Sequence, residues 1–474
     1  MDQLISTRRS LWLVLGLTTV AAMTRFYGLG EWNLHNDELY TFWHASERYN
    51  RSVNPAYYAL VVASWQLLGV TEWATRLPAA ILGVLAVPLF YITWRKVIGN
   101  SGALIGALLV IVSSWHLYYS QFGRHYTGVF LFASLSYFFY YRALVGSSLG
   151  YLGGALLTGL VAVLFHASAA LVLVSCAVFS LVVAASPTVQ QQGYSKRIAV
   201  THLLVCAVIG LLLTPFLLDL LINWQAKGLA FGRQGFMMVL ELIRRVELPI
   251  AVAACLGLML LVTEDRTKAL FFAVLIGVPF AALFAGRSFV AVRPVYVFYV
   301  LPLIFVLAGY LCDRARCLIE KNVVKSHALT VVVITSLLIE TVSHYTDMKT
   351  VDVREAVAVV KQFHQADDKV LSFSKEFKHY VGAQYPVEPS LGSPLKDRHW
   401  QKILAQYEHK RQRVWIVFPM YRNKPLAKEL STWLAKHAHL VWRKQSKRYD
   451  YSIRGYEIFL ANGDFSGNVR NAKL

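Results

Sequence analysis

Cysteine, acidic residues and charge of either sign are scarce in this sequence. Five of its 474 residues are cysteines, and none stands near other ligands at a metal-binding spacing, which excludes a disulfide framework and a zinc motif. Charged residues make up 16% of the chain and hydrophobic residues 56%. Because uncharged runs near membrane-spanning length recur along it, the chain is predicted to be a polytopic α-helical membrane protein rather than a soluble one.

Basic residues outnumber acidic ones by 47 to 27, which gives a net charge of +20. Many of them lie in short loops between apolar runs, where membrane topology and anionic lipid head groups require them. Neither a basic helix nor an aromatic RNA-binding motif accompanies them. We therefore expect membrane lipids, and no nucleic acid, as partners.

Uncharged or nearly uncharged runs predict eleven membrane-spanning helices. They lie at residues 10–29, 77–94, 101–119, 126–141, 149–165, 167–186, 198–221, 246–263, 269–286, 289–311 and 327–342. A cleaved signal peptide is the alternative for the first run, since Arg8 and Arg9 precede it, although no clear small-x-small cleavage site follows.

The basic residues also predict the orientation of the helices. With the N-terminus in the cytoplasm, every inner loop carries at least one basic residue, as the positive-inside rule requires. Loop 30–76 and the chain after about residue 343 then lie outside. We therefore expect a multi-pass protein of the bacterial inner membrane, with a cytoplasmic N-terminus and a periplasmic C-terminal domain.

Two domains are predicted, a transmembrane domain at 1–343 and a soluble α/β domain at 344–474. The loop at 30–76 contains two amphipathic, aromatic-rich segments that indicate helices lying along the membrane surface. The region from 344 onward holds 23 Lys and Arg residues and 13 Asp and Glu residues. Four short strand patterns and two amphipathic helix patterns are found there, but no nucleotide-binding glycine loop. Support or recognition is therefore expected of this domain rather than catalysis.

Polar residues are costly at membrane depth, and here they cluster at the outer ends of the predicted helices. Asp37 and Glu38 lie side by side in "WNLHNDELYTFWHA", and Arg124 and His125 in "GRHYTG". Other members of this set are His35, Arg76, His166 and Arg293. Outer carboxylates together with outer arginines favour a site that handles an anion beside an acid or a base.

Each of these residues also has a purely structural interpretation. Asp37 is placed where a helix N-cap is expected, before "ELYTFWHA". Glu38, about 100° further around that helix, is either structural or assists a metal. For the arginines, the structural interpretation is that their long side chains extend toward the lipid head groups.

The motifs, taken in order, resemble the GT-C superfamily of membrane glycosyltransferases, in the branch of protein O-mannosyltransferases and lipid A aminoarabinose transferases. The resemblance covers about residues 10 to 360. The segments that carry it are "HNDELY", "NPAYYAL", "RLPAAILGVLAVPLFY", "GRHYTG", "LFHASAALVL", "RPVYVFYVLP" and "DVREAVAVV". Two positions depart from the family pattern: Ala56 replaces a second proline, and Asn54 stands where some relatives carry a lysine.

The resemblance implies a GT-C-like fold and an inverting transfer of a sugar from a polyprenyl-phosphate donor to an acceptor hydroxyl outside the membrane. One carboxylate suffices as the general base, because a lipid phosphate leaves readily when cations stabilise it. The catalytic residues expected are Asp37 and Glu38. Donor phosphate binding is expected of Arg76, Arg124, His125 and Arg293. Acceptor or sugar binding is expected of His35, Asn54, Tyr57, Tyr58 and His166.

Several alternatives remain open at this point. The acceptor is a glycan, a lipid or a protein. No cofactor is demanded, and a divalent metal ion held by Asp37, Glu38 and His35 is an open alternative. The rival functions are a transporter or flippase of lipid-linked sugars, a scaffold without activity, and a block-transferring oligosaccharyltransferase or ligase. A transporter is expected to carry polar residues near the bilayer midplane and duplicated halves, neither of which the sequence has.

Overall fold

The structure is a computed structural model. It describes residues 2–46, 54–228, 243–286, 294–318, 323–346, 352–382, 385, 404, 406–407, 412–421, 428–445 and 453–462. Within these ranges the chain forms two compact units, which are treated separately. The membrane unit comprises Met1–Leu29 and Thr41–Val342, and the C-terminal unit comprises Gly30–Tyr40 and Ser343–Leu474.

Helices dominate the membrane unit, and each of the eleven predicted spans overlaps one of them. The helices up to residue 191 are α1 (Asp2–Phe26), α2 (Asn36–Ser46, shared with the C-terminal unit), α3 (Pro55–Leu68), α4 (Glu72–Val112), α5 (Ser114–Ser120), α6 (Tyr126–Gly146), α7 (Leu149–Phe165), α8 (Ala170–Ala185) and α9 (Pro187–Gln191). The later ones are α10 (Lys196–Gly228), α11 (Leu248–Glu264), α12 (Arg266–Gly286), α13 (Leu301–Leu318) and α14 (Val323–Thr346). Short 3₁₀ helices at Ala167–Ala169 and Pro294–Val300 precede α8 and α13.

Apolar length identifies which described helices can cross a bilayer. Six of them have the length and composition that this requires, and three shorter apolar helices accompany them. Two segments of the first loop, 37–49 and 54–69, are predicted to be helical; the first overlaps α2 and the second contains α3. The fold class predicted from the sequence, a polytopic helical membrane protein with a small C-terminal α/β domain, is therefore confirmed.

The long element α4 contains two of the predicted spans. Gly99 divides it, with φ 82° and ψ 168°, a backbone conformation that side chains with a Cβ rarely adopt. The second half of α4 packs closely against α13. A Cβ on Gly309 would lie 2.3 Å from the carbonyl oxygen of Gly102. Small residues at this crossing thus let the two backbones approach, as is typical of membrane helices.

The C-terminal unit contains a four-stranded mixed sheet in the order β1-β2-β4-β3. Its elements are α15 (Val353–Phe363), β1 (Lys369–Ser372), α16 (Lys375–Val381), β2 (Val414–Tyr421), α17 (Lys428–His437), β3 (Ala438–Gln445) and β4 (Ile453–Ala461). β1 pairs in parallel with β2, and β4 pairs antiparallel with both β2 and β3. The four predicted strands and the two predicted helices all occur, and α16 is an addition.

Alternating side chains of β2 supply both faces of this sheet. Trp415 and Val417 join one buried cluster with residues of α15 and α16. Ile416 and Phe418 join another with residues of α17. A strand buried on both faces reads as a nearly continuous apolar run, which is what "VWIVF" shows.

Candidate active site

The residues around Asp37 form a helix cap at the start of α2. The ring Nδ1 of His35 accepts the backbone N–H of Asp37 at 3.2 Å. The carboxylate Oε2 of Glu38 accepts the backbone N–H of His35 at 2.9 Å. This reciprocal pattern resembles a capping box, with His35 in the place of the usual Ser or Thr.

The two adjacent acidic residues, Asp37 and Glu38, contribute to the cap in different ways. Glu38 is 1% exposed and supports the turn through its side chain, whereas Asp37 is half-buried and contributes a backbone N–H to the cap. The side chains of His35 and Glu38 both cap the start of α2. A carboxylate in the first turn of a helix is also stabilised by the helix dipole.

In the membrane unit, His125 and His166 form a stacked pair. Their ring centroids are 4.6 Å apart and their planes 9° apart. His125 precedes α6, and His166 lies between α7 and the 3₁₀ turn that leads into α8. Two motifs that stand about 40 residues apart in the sequence, "GRHYTG" and "LFHASA", are therefore brought into contact.

Both imidazoles of this pair are held in the neutral form. Burial, with a smaller contribution from the Arg124 guanidinium, lowers the pKa of His166 from its ordinary value to about 3. Burial also lowers the pKa of His125 well below its ordinary range, and His166 and Arg124 act in the same direction. Neither ring is suited to act as a cationic acid near neutral pH, but both can exchange neutral hydrogen bonds.

The tautomer of His166 follows from its local contacts. Its Nδ1 accepts the backbone N–H of Ser168 at 3.3 Å and lies 2.7 Å from the Ser168 hydroxyl oxygen. A neutral ring whose Nδ1 is an acceptor carries its proton on Nε2. His166 therefore presents an N–H donor at its other edge.

Gly128 explains how the two histidines approach each other. A Cβ at this position would lie 2.3 Å from Cδ1 of Phe165, the residue directly before His166. The second glycine of "GRHYTG" thus allows the first turn of α6 to pack against the end of α7. Elsewhere a glycine lowers the stability of a helix, but here it makes room for a ring.

Tyrosines extend the histidine pair on both sides. Tyr57, fully buried on α3, lies edge-on to His125 at 6.3 Å. Tyr296 contacts His166 at 5.3 Å, and Tyr126 contacts both histidines. Of these three tyrosines, the sequence motifs predict a role for Tyr57 alone. The position of the other two beside "GRH" and "RPV" was the signal that could have revealed them.

Asn54, which stands where some relatives carry a lysine, has a structural role beside Tyr58. Asn54 is 2% exposed, and its Nδ2 donates to the Tyr58 hydroxyl at 3.2 Å, one helical turn away. Tyr58 in turn stacks on His44 at 5.6 Å. Asn54 thus contributes to fixing the Tyr58 side chain.

The predicted arginines differ in their surroundings. Arg124 is half-buried, and its Nη1 donates to the Thr41 hydroxyl at 3.4 Å. Arg76 is 2% exposed and donates to the carbonyl oxygen of Leu29 at 3.1 Å, so its guanidinium is enclosed by protein. Arg293 lies outside the described residues. Roles in donor binding remain predictions for all three.

A buried arginine that sequence reasoning overlooked lies at the end of α1. Arg25 is fully buried and donates to the carbonyl oxygens of Val110 and Ile111 at 2.7 and 3.1 Å. It also approaches Nδ1 of His116 at 3.2 Å. A cation at the C-terminal end of α4 is stabilised by the helix dipole and satisfies its last carbonyls. The signal was a lone arginine in an otherwise apolar run.

A divalent metal was left open for Asp37, Glu38 and His35. Within the described ranges, no three His, Cys, Asp or Glu side chains are grouped so that they could hold a metal ion. One oxygen of Glu38 and one nitrogen of His35 are also committed to the helix cap. A divalent metal at these three residues stays an untested prediction.

Comparison with known proteins gives one family and a set of similar folds. Residues 52–217 match the family model of dolichyl-phosphate-mannose-protein mannosyltransferases. Among curated proteins, no sequence matches the chain.

Several solved structures share the fold along most of the chain. The apo structure of ArnT from Cupriavidus metallidurans has a TM-score of 0.59 at 15% identity, and the match covers 96% of this chain and 98% of that one. The same protein bound to undecaprenyl phosphate has a TM-score of 0.56 at 16% identity, with 95% and 98% covered.

An archaeal enzyme has the same fold. The Archaeoglobus fulgidus oligosaccharyltransferase, in complex with Zn and sulfate, has a TM-score of 0.56 at 11% identity, with 86% of this chain and 68% of that chain covered. The family match over residues 52–217 and the shared fold confirm the resemblance that the sequence indicated, which is to the GT-C superfamily of membrane glycosyltransferases.

Proposed function

We propose that the protein transfers a sugar from a polyprenyl-phosphate donor to an acceptor hydroxyl on the extracytoplasmic face of the membrane, with inversion at the anomeric carbon. The observation that carries the proposal is the helix cap at α2. His35 and Glu38 supply capping side chains to the first turn of α2, and that turn carries the half-buried Asp37. A support for the lipid donor is the likeness to ArnT, for which a complex with undecaprenyl phosphate exists.

In the proposed reaction Asp37 is the general base. It accepts the proton of the acceptor hydroxyl as that oxygen attacks the anomeric carbon. The bond from the anomeric carbon to the phosphate oxygen breaks on the opposite side, and the lipid phosphate leaves with the electron pair. Proton transfer to a placed carboxylate is worth roughly 100- to 10,000-fold in rate. A single displacement of this kind inverts the anomeric centre.

The leaving phosphate gains negative charge and requires cations rather than a proton donor. Arg124 is the described candidate, because its guanidinium is half-buried and presents N–H donors in a planar fork that suits a phosphate. Arg76 and Arg293 are assigned the same role on sequence grounds. Arg76 also holds the turn that follows α1, through its contact with the carbonyl oxygen of Leu29.

The histidine pair and its tyrosines are the proposed sugar-binding group. For His125 this proposal replaces the phosphate-binding role expected from the sequence, because its ring is neutral and stacked on His166. Aromatic faces stack on the apolar face of a sugar ring, and the Nε2–H of His166 is a neutral donor for a sugar hydroxyl or a phosphate oxygen. Because burial keeps both rings uncharged, they add no positive charge that would hold the phosphate after transfer. In this proposal the arginines supply the positive charge that binds the phosphate, and the aromatic residues supply the surface that binds the sugar ring.

Block transfer of an oligosaccharide is a second candidate, favoured by the likeness to the archaeal oligosaccharyltransferase. Mass spectrometry of envelope lipids and glycans, with and without the gene, separates the candidates. A difference of one sugar on one acceptor supports the proposal, and a difference of several sugars supports block transfer. If no envelope molecule changes mass but a lipid-linked sugar accumulates on one leaflet, the protein is a flippase and the proposal is wrong.

A further inference from the structure

Residues 30–40, which carry Asp37, belong to the same compact unit as the C-terminal domain. They are separated from it in sequence by about 300 residues, and yet their contacts are with that domain. The domain carries no nucleotide-binding glycine loop. The contacts of the domain with residues 30–40 indicate how it contributes to the proposed reaction.

The segment is held before the helix cap by three contacts. The backbone N–H of Leu34 donates to the Tyr380 hydroxyl at 2.7 Å. The guanidinium of Arg354 donates to the carbonyl oxygen of Glu31, and the ring of Trp32 lies edge-on to His344 at 6.2 Å. Two of these three contacts use the backbone of the segment, so they fix its path rather than its side chains.

A further contact follows the cap. The ammonium group of Lys375 donates to the Tyr40 hydroxyl at 2.9 Å and lies 4.7 Å from the centre of the same ring. Lys375 and Tyr380 are both on α16. Asp37 therefore lies between two points at which one short helix holds the chain.

The residues that hold the segment are themselves fixed. α16 begins at a cap in which Ser374 accepts the backbone N–H of Phe377 at 3.1 Å, and Phe377 is fully buried in the core of the unit. Arg354 is paired with Asp352, with Nε–Oδ2 at 2.8 Å and Nη2–Oδ2 at 2.6 Å. A supporting shell of this rigidity is what holds a catalytic group to within about 0.5 Å.

We infer that the C-terminal domain positions Asp37, and that Tyr380 is the principal positioning residue. Leu34 directly precedes His35, whose ring and backbone form the cap that orients Asp37. A shift of the backbone at Leu34 therefore reaches the carboxylate through one residue. Tyr380 acts through Asp37, so the inference rests on the proposed function, in which Asp37 is the base.

The test compares Tyr380→Phe with Tyr385→Phe in the purified full-length protein. Tyr385 is a partly buried tyrosine of the same domain, whose ring contacts His364 and Lys361. Tyr380→Phe should lower the turnover number about fivefold, the factor that a neutral hydrogen bond of about 1 kcal/mol represents. The KM for the donor lipid should stay within about twofold, and Tyr385→Phe should match the wild type.

Two further measurements separate positioning from general damage. In the Asp37→Asn background, Tyr380→Phe should cause no additional loss, because the group through which it acts is gone. Hydrogen exchange of a peptide covering 31–39 should be about fivefold faster in Tyr380→Phe, while exchange in β2 and β4 stays unchanged.

The outcomes distinguish this inference from the proposed function. If Asp37→Asn keeps full turnover, the proposed base is wrong, and faster exchange at 31–39 would still support the role of the domain in holding the segment. If Asp37→Asn is inactive but Tyr380→Phe has wild-type turnover and exchange, the positioning inference is overturned and the base remains. An equal loss from Tyr380→Phe with and without Asp37 also overturns it.

Discussion

The rings of His125 and His166 stack at 4.6 Å because Gly128, three residues after His125, leaves room for Phe165. This relationship joins the start of α6 to the end of α7. It depends on the absence of a single Cβ, so a small substitution tests it.

Gly128→Ala should displace the Phe165 ring and with it His166. Overpacking of this kind costs about 1–3 kcal/mol of stability, and the KM for donor or acceptor should rise because the aromatic group is altered. Gly153→Ala on α7 is the matched control, since a Cβ there meets nothing within 4 Å. Thermal unfolding and initial rates are measured for both variants. Equal behaviour of the two alanine variants would show that the close approach at Gly128 is not needed.

The neutral state of His166 predicts a loss of stability in acid. The pKa of His166 is about 3 in the folded protein and about 6.5 when unfolded. The lowered folded-state pKa means that its contribution is complete above pH 6.5 and is lost as the pH falls from 6.5 toward 3. The slope contributed by this one group reaches about 1.4 kcal/mol per pH unit.

His166→Asn isolates this contribution. Asparagine can still accept the Ser168 N–H as a cap, but it does not titrate. The fall in melting temperature between pH 7 and pH 5 should be smaller in this variant than in the wild type. His439→Asn, an exposed change on β3, should leave the fall unaltered. A variant whose melting temperature falls as steeply as that of the wild type would mean that His166 is not held neutral.

The proposed anion site predicts a marked difference between two arginines of the membrane unit. Arg124→Ala should reduce kcat/KM about tenfold or more, since a charged hydrogen bond is worth about 1.5–3 kcal/mol. Arg124→Lys should also be impaired, because lysine keeps the charge but lacks the planar fork. Arg142, which lies over the Tyr151 ring at 5.6 Å, provides the control as Arg142→Lys. If Arg124→Ala and Arg293→Ala both turn over normally, the phosphate is bound by other residues.

Sequence patterns predicted the elements of this fold better than their contacts. Apolar runs predicted the spans, since a bilayer requires about 20 apolar residues in a row. Short runs rich in β-branched and aromatic residues predicted β2 and β4. The pairing of β4 between β2 and β3, and the contact of α16 with residues 31–40, depend on tertiary packing that has no local signature.

The candidate site shows the same division. Motif order identified Asp37, Arg124, His125 and His166, and the structure stacks the two histidines. The sequence did not predict that Glu38 and His35 form the cap. The side chains of His35 and Glu38 can form several kinds of contact. They act as caps here because the backbone N–H groups of Asp37 and His35 point toward them. The partners of Arg25 were equally out of reach, because they lie about 85 residues away in the chain.

The predicted topology places the C-terminal domain outside the cytoplasmic membrane. No cysteine occurs after Cys317, so a cysteine introduced at Ser431, exposed on α17, is the only thiol of that domain. Ser431→Cys should react with an impermeant maleimide in intact cells whose outer membrane has been made permeable. Wild-type protein, which keeps its five cysteines, sets the background. Labelling that appears only after lysis would place the domain in the cytoplasm and reject the predicted orientation.

Asp37 and Glu38 are adjacent carboxylates for which opposite consequences are expected. Asp37→Asn keeps the size of the side chain and the backbone N–H that His35 accepts, so the cap and the melting temperature should be preserved. Turnover should nevertheless fall about 100-fold or more, because an amide cannot take the proton of the acceptor hydroxyl. Donor binding, measured separately, should be normal.

At Glu38, the neutral substitution should be tolerated and the truncation should not. Glu38→Gln retains an oxygen that can accept the His35 N–H and should remain active and stable. Glu38→Ala removes that acceptor and should lower stability by about 1 kcal/mol, the usual effect of losing a cap. Turnover of the folded fraction should fall less than in Asp37→Asn, because the base itself is still present. If Asp37→Asn transfers sugar at the wild-type rate while Glu38→Gln is inactive, the roles of the two carboxylates are reversed and Glu38 is the base.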